Sequence, residues 1–309
     1  MRVLIVGCGY VGSEVVRQAP EGTQVSVLTR SRERFEELRQ LGVEPVYGHW
    51  LASPEHLAAG GDSSANWSDD ASAAWAANPP KADAILVAVP HRADSSGGDE
   101  DGEQTHVVGL QNLEGAYRKA NQQPPRLIYL STTGVYGQAD DCEVNEQTPV
   151  SPTRIGPRIA VAAERWLQQN SNWESQILRL AGIYGPGRIP LAARLRGGEA
   201  LTVPQDGYLN LIHVTDIARV IWRLMQGDTT GKLYVLSDGV PVLRKEFYCF
   251  LASLCGVKDP VFEAPDPTSP RARRAGNKRV NPERILRELA VNLQFPDYQS
   301  GLRQAIGED

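Results

Sequence analysis

Apolar positions along the chain keep two alternating rhythms. Val3–Val6 is an all-apolar run that stops at glycines, the pattern of a strand buried on both faces. A helical pattern follows from Val11 to about Ala19, and Gln24–Leu28 reads as a second strand. Arg32–Leu41 is a charged helix with Phe35, Leu38 and Leu41 at helical spacing on one face. Val43–Tyr47 is a short third strand, and Pro45 pushes it toward a sheet edge or a bend. Ala52–Pro80 is rich in Ala, Ser, Asp and Gly and holds one or two short helices, one including Trp75. Ala84–Val89 is a buried strand ended by Pro90. A helix at Gln104–Asn121 and a strand at Arg126–Ser131 follow. Next come a helix with Pro157 in its first turn, running to Gln169, and a strand at Gln176–Leu180. Strands alternating with helices imply a parallel sheet covered on both faces.

Past Leu180 the regularity loosens. Leu209–His213 reads as a strand, with Thr215 or Asp216 capping a helix to Met225. Lys232–Leu236 is a last strand and Leu243–Cys255 a helix. Pro260–Pro270 is a proline-rich loop, and short helices at Pro282–Leu289 and Tyr298–Ile306 finish the chain.

Composition narrows the picture. At about 150 residues per domain, 309 residues make one large domain or two modest ones. The net charge of −5 argues against a nucleic-acid binder, which would carry a basic domain. No apolar run approaches the ~20 residues of a membrane span. MRVLIVGCG is too short and glycine-rich for a secretory signal. Cys8, Cys142, Cys249 and Cys255 form no CxxC or zinc pattern, so no metal site is expected, and reduced thiols in a cytoplasmic protein are. The acidic stretch Asp94–Glu103 reads as a solvated loop or as a lid over a ligand.

Gly7-Cys8-Gly9-Tyr10-Val11-Gly12 spells GxGxxG directly after a buried strand and at the opening of a helix. That context gives the motif its meaning. Gly7 permits the tight turn, Gly9 lets the backbone approach a pyrophosphate, and Gly12 lets helix and strand pack closely. The anion then sits at the positive end of the helix. The end of the second strand decides which dinucleotide binds. An NAD-selective site has Asp or Glu there, whereas this chain has Leu28-Thr29-Arg30-Ser31-Arg32, with no carboxylate before Glu33. Arg30 and Ser31 therefore point to the 2′-phosphate of NADP(H) in preference to NAD(H). Arg32 either assists or is surface. Val89 and Pro90, at the exit of the fourth strand, complete the expected cofactor contacts with Gly7, Gly9, Tyr10, Val11 and Gly12.

With these residues in place, the chain resembles the short-chain dehydrogenase/reductase superfamily. The likeness is to its extended and atypical branches, the NAD(P)-dependent epimerase/dehydratase-like proteins. It rests on GCGYVG at 7–12, LIYLSTTGVYG at 127–137, LRLAGIYGPGR at 178–188, NLIHVTDIA at 210–218 and GNKRVNPERILREL at 276–289. It implies an α/β fold: a Rossmann-type doubly wound parallel sheet with a smaller C-terminal substrate lobe. The NADP-binding domain would span 1–180, with 207–236 returning to the sheet, and the lobe 181–206 and 237–309.

The resemblance also implies chemistry. A hydroxyl, a tyrosine lowered in pKa by a lysine, and an upstream asparagine move a proton while a hydride moves to or from the nicotinamide. Thr132 matches the hydroxyl position, although a hydroxyl at a strand end also caps structure. The YxxxK pair is absent. Its positions fall on Thr153 and Pro157 in one register and on Gly156 and Ala160 in the other. Arg154 and Arg158 have the right separation, but arginine offers only positive charge. The asparagine position falls near His106, which also reads as a partly exposed helix residue. Tyr184 is the better substitute acid/base, and Tyr136 reads as structural. His49 or Trp50 stands where relatives hold the adenine, unless that pocket is looser.

On the substrate side, Arg188 and Asn210 are the expected contacts with a small molecule. The run Arg271, Arg273, Arg274, Lys278 and Arg279 reads as a solvated loop or an anion site, and His213 as part of a structural turn. Two functions follow. One is an NADP-dependent oxidoreductase or epimerase/dehydratase-like enzyme. The other is a non-catalytic NADP(H)-binding regulator or redox sensor. A homodimer fits the family analogy, though no residue demands it.

Overall fold

The computed structural model describes residues 1–51, 70–91, 102–137, 140–169, 173–227, 229, 231–264 and 277–307. The first half runs β1 (Arg2–Val6), α1 (Tyr10–Arg17), β2 (Gln24–Thr29), α2 (Arg32–Gln40), β3 (Glu44–Tyr47), α3 (Asp70–Ala77), β4 (Ala84–Val87), α4 (Thr105–Lys119), β5 (Arg126–Thr132), β6 (Cys142–Val144), α5 (Ile155–Gln169) and β7 (Ser175–Leu180). The second half runs β8 (Gly182–Tyr184), α6 (Ala192–Arg196), β9 (Leu201–Thr202), β10 (Tyr208–Leu209), β11 (Leu211–His213), α7 (Val214–Gln226), β12 (Leu233–Leu236), β13 (Val242–Leu243), α8 (Arg244–Cys255), β14 (Phe262–Glu263), β15 (Lys278–Val280), α9 (Glu283–Leu289) and α10 (Tyr298–Gly307).

The central sheet has seven strands in the order β12-β7-β5-β4-β1-β2-β3, the doubly wound arrangement that the alternation implies. β1 pairs in parallel with β2 and with β4, so the strand order reverses beside β1. β3 pairs with β2 at one edge, where Pro45 lies opposite Val27. At the other edge, the Val235 amide of β12 donates to the Glu146 carboxylate at 3.0 Å. The strand residues of β1, β4 and β5 are almost wholly buried, which explains why their runs are apolar rather than alternating.

The chain divides into two compact units. One holds 1–131, 154–178 and 221–232, and the other holds 132–153, 179–220 and 233–309. In the first, Trp222 anchors α7 by donating from its indole to the Val15 carbonyl at 3.0 Å. The second has its own apolar core of Tyr184, Leu211, Phe247, Leu251 and Leu302.

Three departures from the sequence reading have physical causes. The strand expected over Leu209–His213 breaks at Asn210, whose amide donates to the Lys278 carbonyl (2.8 Å) and accepts from the Val280 amide (2.7 Å). Asp216 does not cap α7. The helix begins at Val214, and the buried carboxylate accepts from the amides of Gln294 (2.7 Å) and Phe295 (2.9 Å). The proline-rich stretch begins with a strand, since Phe262–Glu263 pairs in parallel with Leu201–Thr202. Most of the Ala52–Pro80 and Asp94–Glu103 segments lies outside the described residues.

Candidate functional site

The glycine turn is built as its spacing requires. Gly7 has φ +90°, and a Cβ there would stand 2.9 Å from the Ala88 carbonyl and the Val89 amide. A Cβ on Gly12 would stand 2.7 Å from the Gly7 carbonyl oxygen. Gly9 is the opposite case: it is exposed, and nothing lies within 4 Å of an added Cβ. Gly9 also N-caps α1 without a side-chain hydrogen bond, and the first turn of α1 carries no acidic residue. Open space beside Gly9, at the positive end of α1, fits the pyrophosphate of a dinucleotide.

At the end of β2, Arg30 and Ser31 are exposed. Ser31 caps α2, accepting from the Arg34 amide at 3.1 Å. Arg32 lies over the Tyr47 ring, 4.7 Å from its centre. A residue absent from the sequence reading joins them. The Arg34 guanidinium donates to Ser13 Oγ on α1 at 2.8 Å, approaches Cys8 Sγ at 3.9 Å and pairs with Glu37 at 2.6 Å. Arg34 thus ties the glycine turn to α2. Arg34 and Ser13 lie 21 residues apart with no shared pattern, so only the tertiary fold brings them together.

Val89 and Pro90 follow β4 beside Gly7. Beyond them lies a buried polar cluster. Tyr129 of β5 has its hydroxyl 2.8 Å from His106 Nδ1 and 3.0 Å from His91 Nε2, and His106 Nε2 lies 3.3 Å from the Pro90 carbonyl. The two imidazoles stack with centres 4.8 Å apart, and Trp50 meets His106 edge-on at 4.9 Å. Burial lowers the pKa of His91 to about 4 and that of His106 to about 3, and the same burial pushes Tyr129 well above its ordinary value. His106 is therefore a buried residue, not a partly exposed one. Trp50 is also core. It packs against Gly109 and His106 in the place where an adenine contact was expected.

The tyrosine and lysine positions of the missing pair are filled by backbone and small groups. A Cβ on Gly156 would stand 2.9 Å from the His91 carbonyl oxygen, and Ala160 is fully buried. Arg158 pairs with Glu103 at 2.8 Å. Thr132, the last residue of β5, accepts from the Gly134 amide at 3.0 Å through its hydroxyl oxygen, which leaves its own proton to donate.

In the second unit, Tyr184 is fully buried. Its hydroxyl donates to the Asp297 carbonyl at 3.3 Å, its ring packs on Gly301, and burial raises its pKa. His213 stands between the Tyr184 and Phe295 rings (5.2 and 4.1 Å) and accepts from the Thr215 amide at 3.3 Å. Tyr136 donates to the Asn145 carbonyl at 2.6 Å and accepts from buried Arg179 at 2.8 Å. Arg188 is exposed on the Gly185–Arg188 turn, whereas Asn210 spends its amide on the backbone of β15. Of the basic run, Lys278 donates to the Tyr136 carbonyl (3.2 Å) and Arg279 pairs with Asp141 (3.1 Å); Arg271, Arg273 and Arg274 lie outside the described residues. Among the described residues, no three His, Cys, Asp or Glu side chains gather as a metal site. No described helix is long and apolar enough to cross a membrane.

A doubly wound sheet with a glycine turn open at Gly9 defines a dinucleotide-binding α/β protein. The chain belongs to the NAD dependent epimerase/dehydratase family, whose family model matches residues 3–237. It is 28% identical to Protein YeeZ of Escherichia coli K12 over 298 residues, covering 96% of this chain and 97% of that protein. It is 25% identical over 293 residues to a dTDP-glucose 4,6-dehydratase of Streptomyces niveus, covering 86% and 81% of the two chains. A solved structure from Silicibacter pomeroyi, described as a functionally unknown conserved protein, superposes with a TM-score of 0.73. Its identity is 30%, with 99% of this chain and 98% of that chain covered.

Proposed function

We propose that the protein is an NADP(H)-dependent oxidoreductase or epimerase/dehydratase-like enzyme acting on a small molecule that bears a hydroxyl or carbonyl. One observation carries the reading: a glycine turn open at Gly9 and followed by a β2 that ends in Arg30-Ser31 with no carboxylate. Bound in that turn, the dinucleotide supplies a hydride acceptor or donor. The chain's own residues do the rest. Gly7, Gly9, Tyr10, Val11 and Gly12 receive the pyrophosphate against the start of α1. Arg30 grips the 2′-phosphate and the Ser31 hydroxyl donates to it, with Arg34 adding positive charge beside the same turn. Val89 and Pro90 shape the wall at the exit of β4. Thr132 donates to the reacting oxygen of the substrate, and exposed Arg188 meets an anionic part of it. Tyr184 and Asn210 are assigned to packing, because each is engaged by backbone groups of its own unit.

A second reading, a non-catalytic NADP(H)-binding regulator, is favoured by one feature: no tyrosine or lysine stands between Ser151 and Glu164.

Calorimetric titration with NADP⁺, NADPH, NAD⁺ and NADH tests both. NADP(H) is expected to bind roughly ten- to hundred-fold more tightly, the effect of one charge-assisted contact, and Arg30→Ala to erase that margin. If none of the four binds, both readings fall.

A further inference from the structure

We propose that His91 is the acid–base residue of this site, and that Tyr129 and His106 are positioning residues that fix which of its ring nitrogens is bare. The inference rests on the dinucleotide reading above.

Place is the first argument. In an open α/β sheet, ligands bind outside the carboxyl ends of the strands where the strand order reverses, which here is beside β1 and β4. The chain leaving β4 presses Ala88 and Val89 against Gly7, and His91 follows within the same short segment, half-buried. It is thus carried on the same chain exit from β4 that packs against the glycine turn.

Tautomer logic is the second. The Pro90 carbonyl only accepts, so His106 Nε2 carries the hydrogen between them. Burial keeps His106 neutral, which leaves its Nδ1 bare to accept the Tyr129 hydroxyl proton at 2.8 Å. The Tyr129 oxygen can then accept from His91 Nε2 at 3.0 Å. With its one hydrogen on Nε2, neutral His91 presents a bare Nδ1 that has no hydrogen-bond partner among the described residues. Each link in this chain has one donor and one acceptor, so the order cannot reverse while both rings are neutral.

Rigidity is the third. The stacked imidazoles and the Trp50 edge hold the rings in place, and Gly156 lets the start of α5 close over the His91 carbonyl. A base held in one rotamer and one tautomer is prepared for proton transfer.

In the step assigned to it, the hydroxyl proton of a carbinol substrate passes to His91 Nδ1 as the O–H bond breaks. The carbinol C–H electron pair leaves as hydride to the oxidised nicotinamide dinucleotide. The carbinol carbon is oxidised to a carbonyl, the dinucleotide is reduced, and the imidazolium releases its proton to water.

Carbethoxylation by diethylpyrocarbonate tests this, because the reagent attacks only accessible, unprotonated imidazole nitrogen. The full chain is treated at pH 5.5 and 7.5, with and without saturating NADP⁺, and the modified peptides are mapped by mass. His91 is expected to react at nearly equal rates at the two pH values, to be protected at least five-fold by NADP⁺, and His106 to stay unmodified. An unreactive His91 overturns the proposal. If calorimetry on the same sample shows NADP⁺ bound and His91 is unprotected, this proposal falls alone; if no dinucleotide binds, the cofactor reading falls and takes the proposal with it. A second readout addresses positioning. ¹⁵N imidazole spectra are expected to show His91 as the Nε2–H tautomer and to show mixed tautomers in Tyr129→Phe of native circular dichroism. An unchanged His91 tautomer in that variant overturns the role given to Tyr129.

Discussion

Ser131 at the end of β5 donates its hydroxyl to the Glu164 carboxylate of α5 at 2.5 Å, and both side chains are buried. A carboxylate this deep requires donors, and each charge-assisted bond it receives is worth about 1.5–3 kcal/mol. Ser131→Ala is expected to lower unfolding free energy by about that amount in urea melts, with Glu164→Ala costing at least as much.

Asp238 ties stability to pH. Burial first, and then the charges of Asp297 and Asp216, raise its pKa from 3.8 to about 7, and its Oδ2 has no partner among the described residues. The folded state therefore holds a proton that the unfolded chain releases near pH 4. Stability from this group is full below pH 4 and declines as pH rises to about 7, at roughly 1.4 kcal/mol per pH unit. Denaturation of the native chain and Asp238→Asn between pH 4 and 8 reads this. The variant is expected to flatten the slope and to be the more stable of the two at pH 8.

Gly7 and Gly9 separate folding from binding. Gly7→Ala places a Cβ against the Ala88 backbone at φ +90° and is expected to cost about 1–3 kcal/mol or more in stability. Gly9→Ala meets open space, so its melting temperature is expected to stay near that of the parent while dinucleotide affinity falls at least ten-fold. A Gly9→Ala protein that melts normally and binds with parental affinity removes the pyrophosphate from this turn.

Asp216 holds the segment before α10 through two backbone amides. Asp216→Ala leaves Gln294 and Phe295 without their acceptor and is expected to cost about 3 kcal/mol or more. Hydrogen exchange is expected to rise first at these two amides.

The sheet was legible because most of its strands are buried, apolar runs, and because Gly7–Gly12 falls between a strand and a helix. Pro45 left an edge or a bend open for β3, and the sheet order makes it an edge. The strands of two or three residues, such as β6, β9 and β15, are too short for any periodicity and exist only through partners distant in sequence. Asn210 and Asp216 read as a strand residue and a cap, but tertiary acceptors and donors claimed both. The His91–Tyr129–His106 cluster was hidden for the same reason. Each histidine stands alone in the sequence, and Tyr129 looks like any other apolar position of a buried strand.

The two ends of the central sheet are both plugged. On β3, Pro45 has no amide hydrogen to offer; on β12, the Val235 amide is already taken by Glu146. An unguarded outer strand is a template for another chain's backbone. Here an added strand would find a donor missing at one end and a carboxylate in its way at the other. Neither outer strand of this sheet therefore offers a full ladder of free donors on which a second backbone could extend it.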